Sequence, residues 1–246
     1  MEESMTVMNN EPMMPAGGPD PFYKIWIDAL TKPNESTYSS LAATPEANAN
    51  KAFLWVFIAS LINSLFAVLV QGPLMRNMMG AFGEDPGFFG GGFGSSIITA
   101  ICGAPLGAVV SVLFFAISVG IFQWIAGMFG GKGNFGQLAY VLGAIAAPYM
   151  LISSLFTLLA AIPYVGFCFT AIAGLGGLYV LVLEVIAVKG VNQFGWGPAI
   201  GSVFIPGLVF GFLCACLIFI TAGALAALGP SIGDVFSTIN QSLGGY

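Results

Sequence analysis

The sequence predicts an all-α integral membrane protein, a bundle of five transmembrane helices with an N-terminal interfacial helix. Three observations predict it. Hydrophobic residues make up 57% of the chain and charged ones 7%, with a mean hydropathy of +0.92, whereas soluble domains carry about 25% charged residues. The apolar residues gather in runs of the ~20 that cross a bilayer as a helix. An odd number of crossings also places five of the six basic residues on one side.

Residues 1–20 show no periodicity and no basic stretch leading into an apolar one, so they read as a disordered polar tail and not as a signal peptide. Residues 21–51 form a cytoplasmic amphipathic segment. Phe22, Tyr23, Ile25, Trp26, Ile27 and Leu30 crowd a short stretch that also holds Lys24, Asp28 and Lys32, as in a helix lying at a membrane surface. Its apolar residues face either lipid or the protein's own helices, and both readings stand. Ser39 to Asn50, containing Thr44-Pro45-Glu46, reads as a second helical turn or linker.

The membrane domain covers residues 52–228, with spans at about 52–71, 97–128, 138–162, 164–188 and 198–228. Between the first two lies Gly72 to Ser96, a glycine-rich loop whose GFFGGGFGSS run lacks the following Lys-Ser/Thr of a phosphate-binding loop. Leu138 to Val188 carries one charge, is too long for one crossing and suits two, with Pro163 and Gly166 at the turn. Gly229-Pro230 ends the fifth span, leaving 229–246 as a short non-cytoplasmic tail with Asp234.

Lysine and arginine near span ends are retained on the cytoplasmic side. Five spans put Lys24, Lys32, Lys51, Lys132 and Lys189 on one side and Arg76 alone on the other. The N terminus is therefore expected in the cytoplasm and the C terminus outside.

Composition excludes several function classes. The chain has no His, which removes the commonest general base, metal ligand and haem ligand. A net charge of -5 without a basic run argues against nucleic acid. Cys102, Cys168, Cys214 and Cys216 sit in apolar segments without ligand spacing and read as small packing residues. No Ser-His, Cys-His, paired Asp or HExxH set exists. Catalytic, cofactor-binding and metal-ligating residues are thus expected to be absent, and the chain is not expected to be an enzyme.

Because lipid is as apolar as Leu, helices associate in membranes through small residues. Gly103-x-x-x-Gly107, Ala173-x-x-x-Gly177, Gly197-x-x-x-Gly201 and Gly207-x-x-x-Gly211 are the candidate contacts. Pro105 and Pro206 lie inside spans, marking either fixed bends or a moving part. Glu184 is the single charged residue within a span, and such a carboxylate is a functional candidate by default. It lies five residues before Lys189, so it either pairs with Lys189 or Lys132, reaches the interface, or acts functionally. Trp26, Trp124, Trp196, Tyr140, Tyr149 and Tyr164 read as interfacial anchors. Asn34-Glu35-Ser36 and Asn240-Gln241-Ser242 match the glycosylation pattern, but only the second lies on the expected outer side.

Two loops carry a family resemblance. Gly130-Gly131-Lys132-Gly133-Asn134-Phe135-Gly136-Gln137-Leu138, followed by Val141-Leu142-Gly143 and Pro148, is one. Leu183-Glu184-Val185-Ile186-Ala187-Val188-Lys189-Gly190-Val191, running to Gly195-Trp196-Gly197-Pro198-Ala199, is the other. They resemble the span junctions of the Yip domain family, the Ypt/Rab-interacting membrane proteins and their prokaryotic relatives, over roughly residues 20–228. Eukaryotic members carry Asp-Leu-Tyr-Gly-Pro before the first span; this chain has Gly18-Pro19-Asp20-Pro21-Phe22-Tyr23 nearby instead. That departure makes a Rab-type GTPase a doubtful partner and implies a multi-pass protein of a prokaryotic cell membrane.

The resemblance implies a non-enzymatic membrane protein that organises partner proteins, membrane shape or trafficking through its tail and loops. Its partners would be the lipid bilayer and other membrane proteins or further copies of itself. A small-solute or ion permease, with Glu184 and the two prolines shaping a pathway, is the alternative. A scaffold subunit of a larger membrane complex is another.

Overall fold

The computed structural model describes residues 21–81, 93–160 and 166–243. Helices occupy nearly all of them: α1 (Phe22–Thr31), α2 (Glu35–Ala42), α3 (Ala49–Ala81), α4 (Phe93–Met128), α5 (Phe135–Ala160), α6 (Gly166–Asn192) and α7 (Trp196–Leu243). No strand occurs among the described residues. Five helices are long and apolar enough to cross a membrane, over Ala49–Ala67, Gly103–Met128, Phe135–Leu159, Ala171–Asn192 and Trp196–Thr221. The protein is a five-span helical membrane protein with two short helices before the first span.

Local chemistry sets the starts. Pro33 stops α1 because its ring excludes the helical conformation at the residue before it, and Asn34 then caps α2 by accepting from the Thr37 amide at 2.7 Å. The Asn48 side chain caps α3 through the Lys51 amide at 2.9 Å. At α5, Asn134 accepts from the Gln137 amide at 2.9 Å while Gln137 accepts from the Asn134 amide at 3.2 Å, a reciprocal capping box. Gly130, at φ +82°, turns the chain after α4 in a conformation that side chains disfavour.

Helix α5 is the centre of the bundle. From Leu138 to Pro148 all but one of its residues are buried, and α3, α4, α6, α1 and α2 all pack on it. The closest approach is to α3, where a methyl added at Gly143 would stand 2.8 Å from the Ala52 Cβ and 3.0 Å from its Cα. Further along, the Ser60 hydroxyl meets the Met150 sulfur at 3.6 Å. Both helices advance in the same direction between these two contacts, so α3 and α5 are parallel neighbours, with α4 running back between them in sequence.

Two boundaries differ from the sequence expectation. Helix α3 continues to Ala81 rather than ending near Gln71, carried by the helix-forming Leu74, Met75, Met78 and Met79. The rest of the expected glycine-rich loop, residues 82–92, lies outside the described residues. Helix α7 runs through Gly229-Pro230 to Leu243, 48 residues or about 72 Å at 1.5 Å per residue. Ile232, Val235, Phe236, Ile239 and Leu243 keep a helical period beyond the proline, which explains the continuation. The tail at 1–20 and the turn at Pro163 are likewise outside the described residues.

The small-residue pairs divide. A methyl added at Gly107 would stand 3.4 Å from the Ser64 hydroxyl on α3, and one added at Gly177 would stand 3.2 Å from the Tyr149 hydroxyl of α5. Gly103 is exposed. Gly207 and Gly211 have nothing within 4 Å where a side chain would go, and Gly197 is equally open. The expected packing role of the Gly207–Gly211 pair is therefore not realised inside this chain, because α7 turns that stretch away from the bundle.

One substitution made at two glycines separates these environments. Gly143→Ala should lower the melting temperature in mild detergent, at a cost of about 1–3 kcal/mol for overpacking against α3. Gly211→Ala should leave it unchanged or raise it, since Ala is the better helix former by about 1 kcal/mol. Equal effects at the two positions would contradict the packing described.

Candidate functional site

Three segments far apart in sequence meet at one end of the bundle: α1–α2, the α4–α5 loop and the α6–α7 junction. The lysines expected to share a side are drawn there, and a buried amide joins two of the segments. Asn192, fully buried at the end of α6, donates from its side chain to the Val188 carbonyl at 3.0 Å and accepts from the Gln123 side chain at 3.1 Å. Gln123, on α4, also donates to the Gly133 carbonyl at 2.7 Å. The Lys132 backbone amide donates to the Asn192 carbonyl oxygen at 3.1 Å.

This contact explains the glycine run. A methyl at Gly131 would lie 2.5 Å from the Asn192 Oδ1, and one at Gly133 would lie 2.7 Å from a Val191 methyl. The loop backbone must therefore lie directly against α6. Gly190 plays the same part on the other side, where an added methyl would meet the Glu35 carbonyl at 2.8 Å.

Lys189 does not pair with Glu184. Its ammonium pairs with Glu35 of α2 and lies 4.6 Å from the centre of the Trp196 ring. Five residues span about 140° around a helix, so Glu184 and Lys189 leave α6 on different faces, whereas ion pairs form at three or four. Glu184 is half-buried and has no ion pair among the described residues. Lys132 likewise holds no carboxylate among them, while Lys32 pairs with Asp28 at 2.8 Å and Lys51 with Glu46.

The short N-terminal helices settle which way their apolar residues face. Ile25, Ala29, Tyr38 and Ala42 are buried against the bundle, while Phe22, Tyr23 and Ile27 remain exposed. Trp26 stacks edge-on to Trp55 at 5.9 Å, and Trp55 lies 5.1 Å from Tyr140. Tyr38, 0% exposed, donates its hydroxyl to the Ala29 carbonyl at 2.8 Å, and Tyr179 of α6 donates to the Leu30 carbonyl at 2.7 Å. The orphan carbonyls at the end of α1 are thus satisfied from two helices. Burial, reinforced by the nearby Tyr179, pushes the Tyr38 hydroxyl well above the ordinary tyrosine range.

Other expected positions scatter. Phe135 lies 6.3 Å from Phe53 across the start of α5, Pro148 is buried within α5, and Gly195 precedes α7, whose first residue is the exposed Trp196. Tyr140 and Tyr149 are not anchors: the first is a core residue, and the second donates to the Ala173 carbonyl at 3.1 Å. Cys168 is exposed rather than packed, while Cys214 and Cys216 are half-buried. Tyr164 falls outside the described residues.

Sequence reasoning missed Asn192 as a junction and Glu35 as the partner of Lys189, 154 residues away. Asn192 did carry a signal, being an amide at the end of an apolar run whose partners had to come from within the protein. Gln193 carried another only in the structure. It holds φ +54°, a left-handed position after a helix where glycine is usual and a side chain costs about 1–2 kcal/mol.

A family model, the Yip1 domain, matches residues 27–229. The chain belongs to that family, and the match covers nearly the stretch over which the two loops resemble it. No match was found among curated proteins or among solved structures.

Two measurements probe this end. Asn192→Ala should cost about 2–3 kcal/mol in detergent stability, because it breaks the side-chain bonds to the Val188 carbonyl and from Gln123, leaving Gln123 only its bond to the Gly133 carbonyl. Lys189→Gln should cost less than about 1 kcal/mol, because Glu35 remains 46% exposed. The pH dependence has a definite sign. Tyr38 stays protonated in the fold at a pH where the unfolded chain ionises, so its contribution is complete below about pH 10 and declines above it. Tyr38→Phe should flatten the alkaline limb of the stability curve, and an unchanged limb would remove Tyr38 from its cause.

Proposed function

We propose that this Yip1-family protein is a non-enzymatic membrane scaffold that organises partner membrane proteins, or further copies of itself, with its N terminus and the lysine-bearing end in the cytoplasm. The observation that carries the reading is the contrast between α7 and the rest. Among the five spans α5 is the most buried and α7 the least. Leu208, Phe212 and Phe219 are exposed, beside Gly207 and Gly211 that no described residue covers. A helix in lipid gains little from apolar contact alone but gains from backbone approach at small residues, which is what this stretch offers to another helix. The opposite condition holds at the lysine-bearing end, where two loops and α1–α2 are bound into one polar surface fit for presenting a fixed shape to soluble or peripheral partners.

The permease reading has one observation behind it, Glu184 within α6, which has no ion pair among the described residues. A scaffold requires no flux through that position, so Glu184→Gln should change neither proton nor solute movement in reconstituted vesicles, and a changed flux would favour the permease.

A photo-reactive residue placed at Phe212 or Leu208 should crosslink to a discrete protein or to a second copy in native membranes, and one placed at the buried Tyr140 should not. A monodisperse monomer that gives lipid adducts alone from both α7 positions would overturn the scaffold reading.

A further inference from the structure

A cleft of about 150 Å³ opens between α2, the α4–α5 loop and the end of α6. Ser39, Lys132, Gln137, Gly190 and Gln193 line it. At about 30 Å³ for each water, that volume has room for a small polar group such as a phosphate. Its depth is fixed by the spans, since α4 leaves the apolar region at Met128, α5 enters at Phe135 and α6 leaves at Asn192. Lys132 and Gln193 therefore lie just beyond the ends of three candidate spans.

Two features mark the cleft as a binding site. Lys132 carries a charge that no described carboxylate neutralises, unlike Lys32, Lys51 and Lys189. Gln193 keeps a side chain where the backbone conformation favours glycine, and the residue lines the cleft. Gln137 adds an amide donor, because its carbonyl oxygen is already engaged with the Asn134 amide. Lys132, Gln137 and Gln193 thus bring one ammonium and two side-chain amides to the lining of a space that can hold a phosphate, whose oxygens only accept.

We propose that this cleft binds a single phosphate group, held by Lys132 and the amides of Gln137 and Gln193, and carried either by a phospholipid headgroup or by a free anion. The site does not rest on the scaffold reading, since a transporter or a complex subunit would keep it equally.

The test uses the full chain in mild detergent, titrated with phosphatidylglycerol and followed by native mass spectrometry. One lipid should be retained by the wild type. Lys132→Ala should weaken retention by about tenfold, equivalent to about 1.4 kcal/mol, and Lys132→Arg should restore it. Gln193→Gly should raise the melting temperature while weakening retention, a combination that a merely structural glutamine would not give. Excess inorganic phosphate separates the sources: displacement of the lipid assigns the site to the free anion, and no displacement assigns it to the headgroup. Retention unchanged in both Lys132→Ala and Gln193→Gly would overturn the proposal.

Discussion

A buried amide inside a membrane protein must find its partners within the chain, because hydrocarbon supplies none. The Asn192 side chain meets that constraint by engaging Gln123 of α4 and the Val188 carbonyl of its own helix, while its backbone carbonyl accepts from the Lys132 amide of the α4–α5 loop. The glycines at 131 and 133 follow from it, since only a bare backbone lets the loop reach α6. The same junction brings Lys132 beside α6 and leaves the cleft open against α2. What distinguishes this end from the rest of the bundle therefore begins with one side chain whose bonds are satisfied only in this arrangement.

The spans were legible in the sequence because crossing a bilayer is a matter of length and apolarity, which composition reports directly. Their packing was less legible. Tyr140 and Trp26 read as interfacial anchors by type and position, yet the structure uses both in an aromatic row linking α1, α3 and α5. A ring at a span end has the same sequence signature whether it faces lipid or protein. Glu184 and Lys189 looked like partners because they are near in sequence, whereas helical geometry separates them and Glu35 arrives from the N-terminal segment. Glycine pairs gave the least discrimination, for Gly107 is in contact with α3 while Gly207 and Gly211 stand open.

The bundle is unevenly packed. Around α5 the small residues of α3 permit close approach, and hydroxyls reach carbonyls on neighbouring helices. Along the outer part of α7 the glycines and large apolar side chains face away from the other spans. A protein whose membrane region served only to enclose a pathway would be expected to draw its last helix into the ring. Here the first turns of that helix pack on α4 and α6 through Ala199, Ser202 and Val203, while its later part stays exposed among the described residues.

The parallel pairing of α3 with α5 also bears on how the chain is made. The Ala52 face of α3 has no partner until α4 has crossed and α5 has entered, so the first span must wait in lipid with its closest contact unmade. Glu35 waits longer still, for 154 residues separate it from Lys189. At a synthesis rate of about 5–20 residues per second this interval is on the order of ten to thirty seconds. Until α5 has entered, α1 and α2 lack the helix they both pack on, and the exposed Phe22, Tyr23 and Ile27 of α1 offer an apolar face to the membrane surface meanwhile.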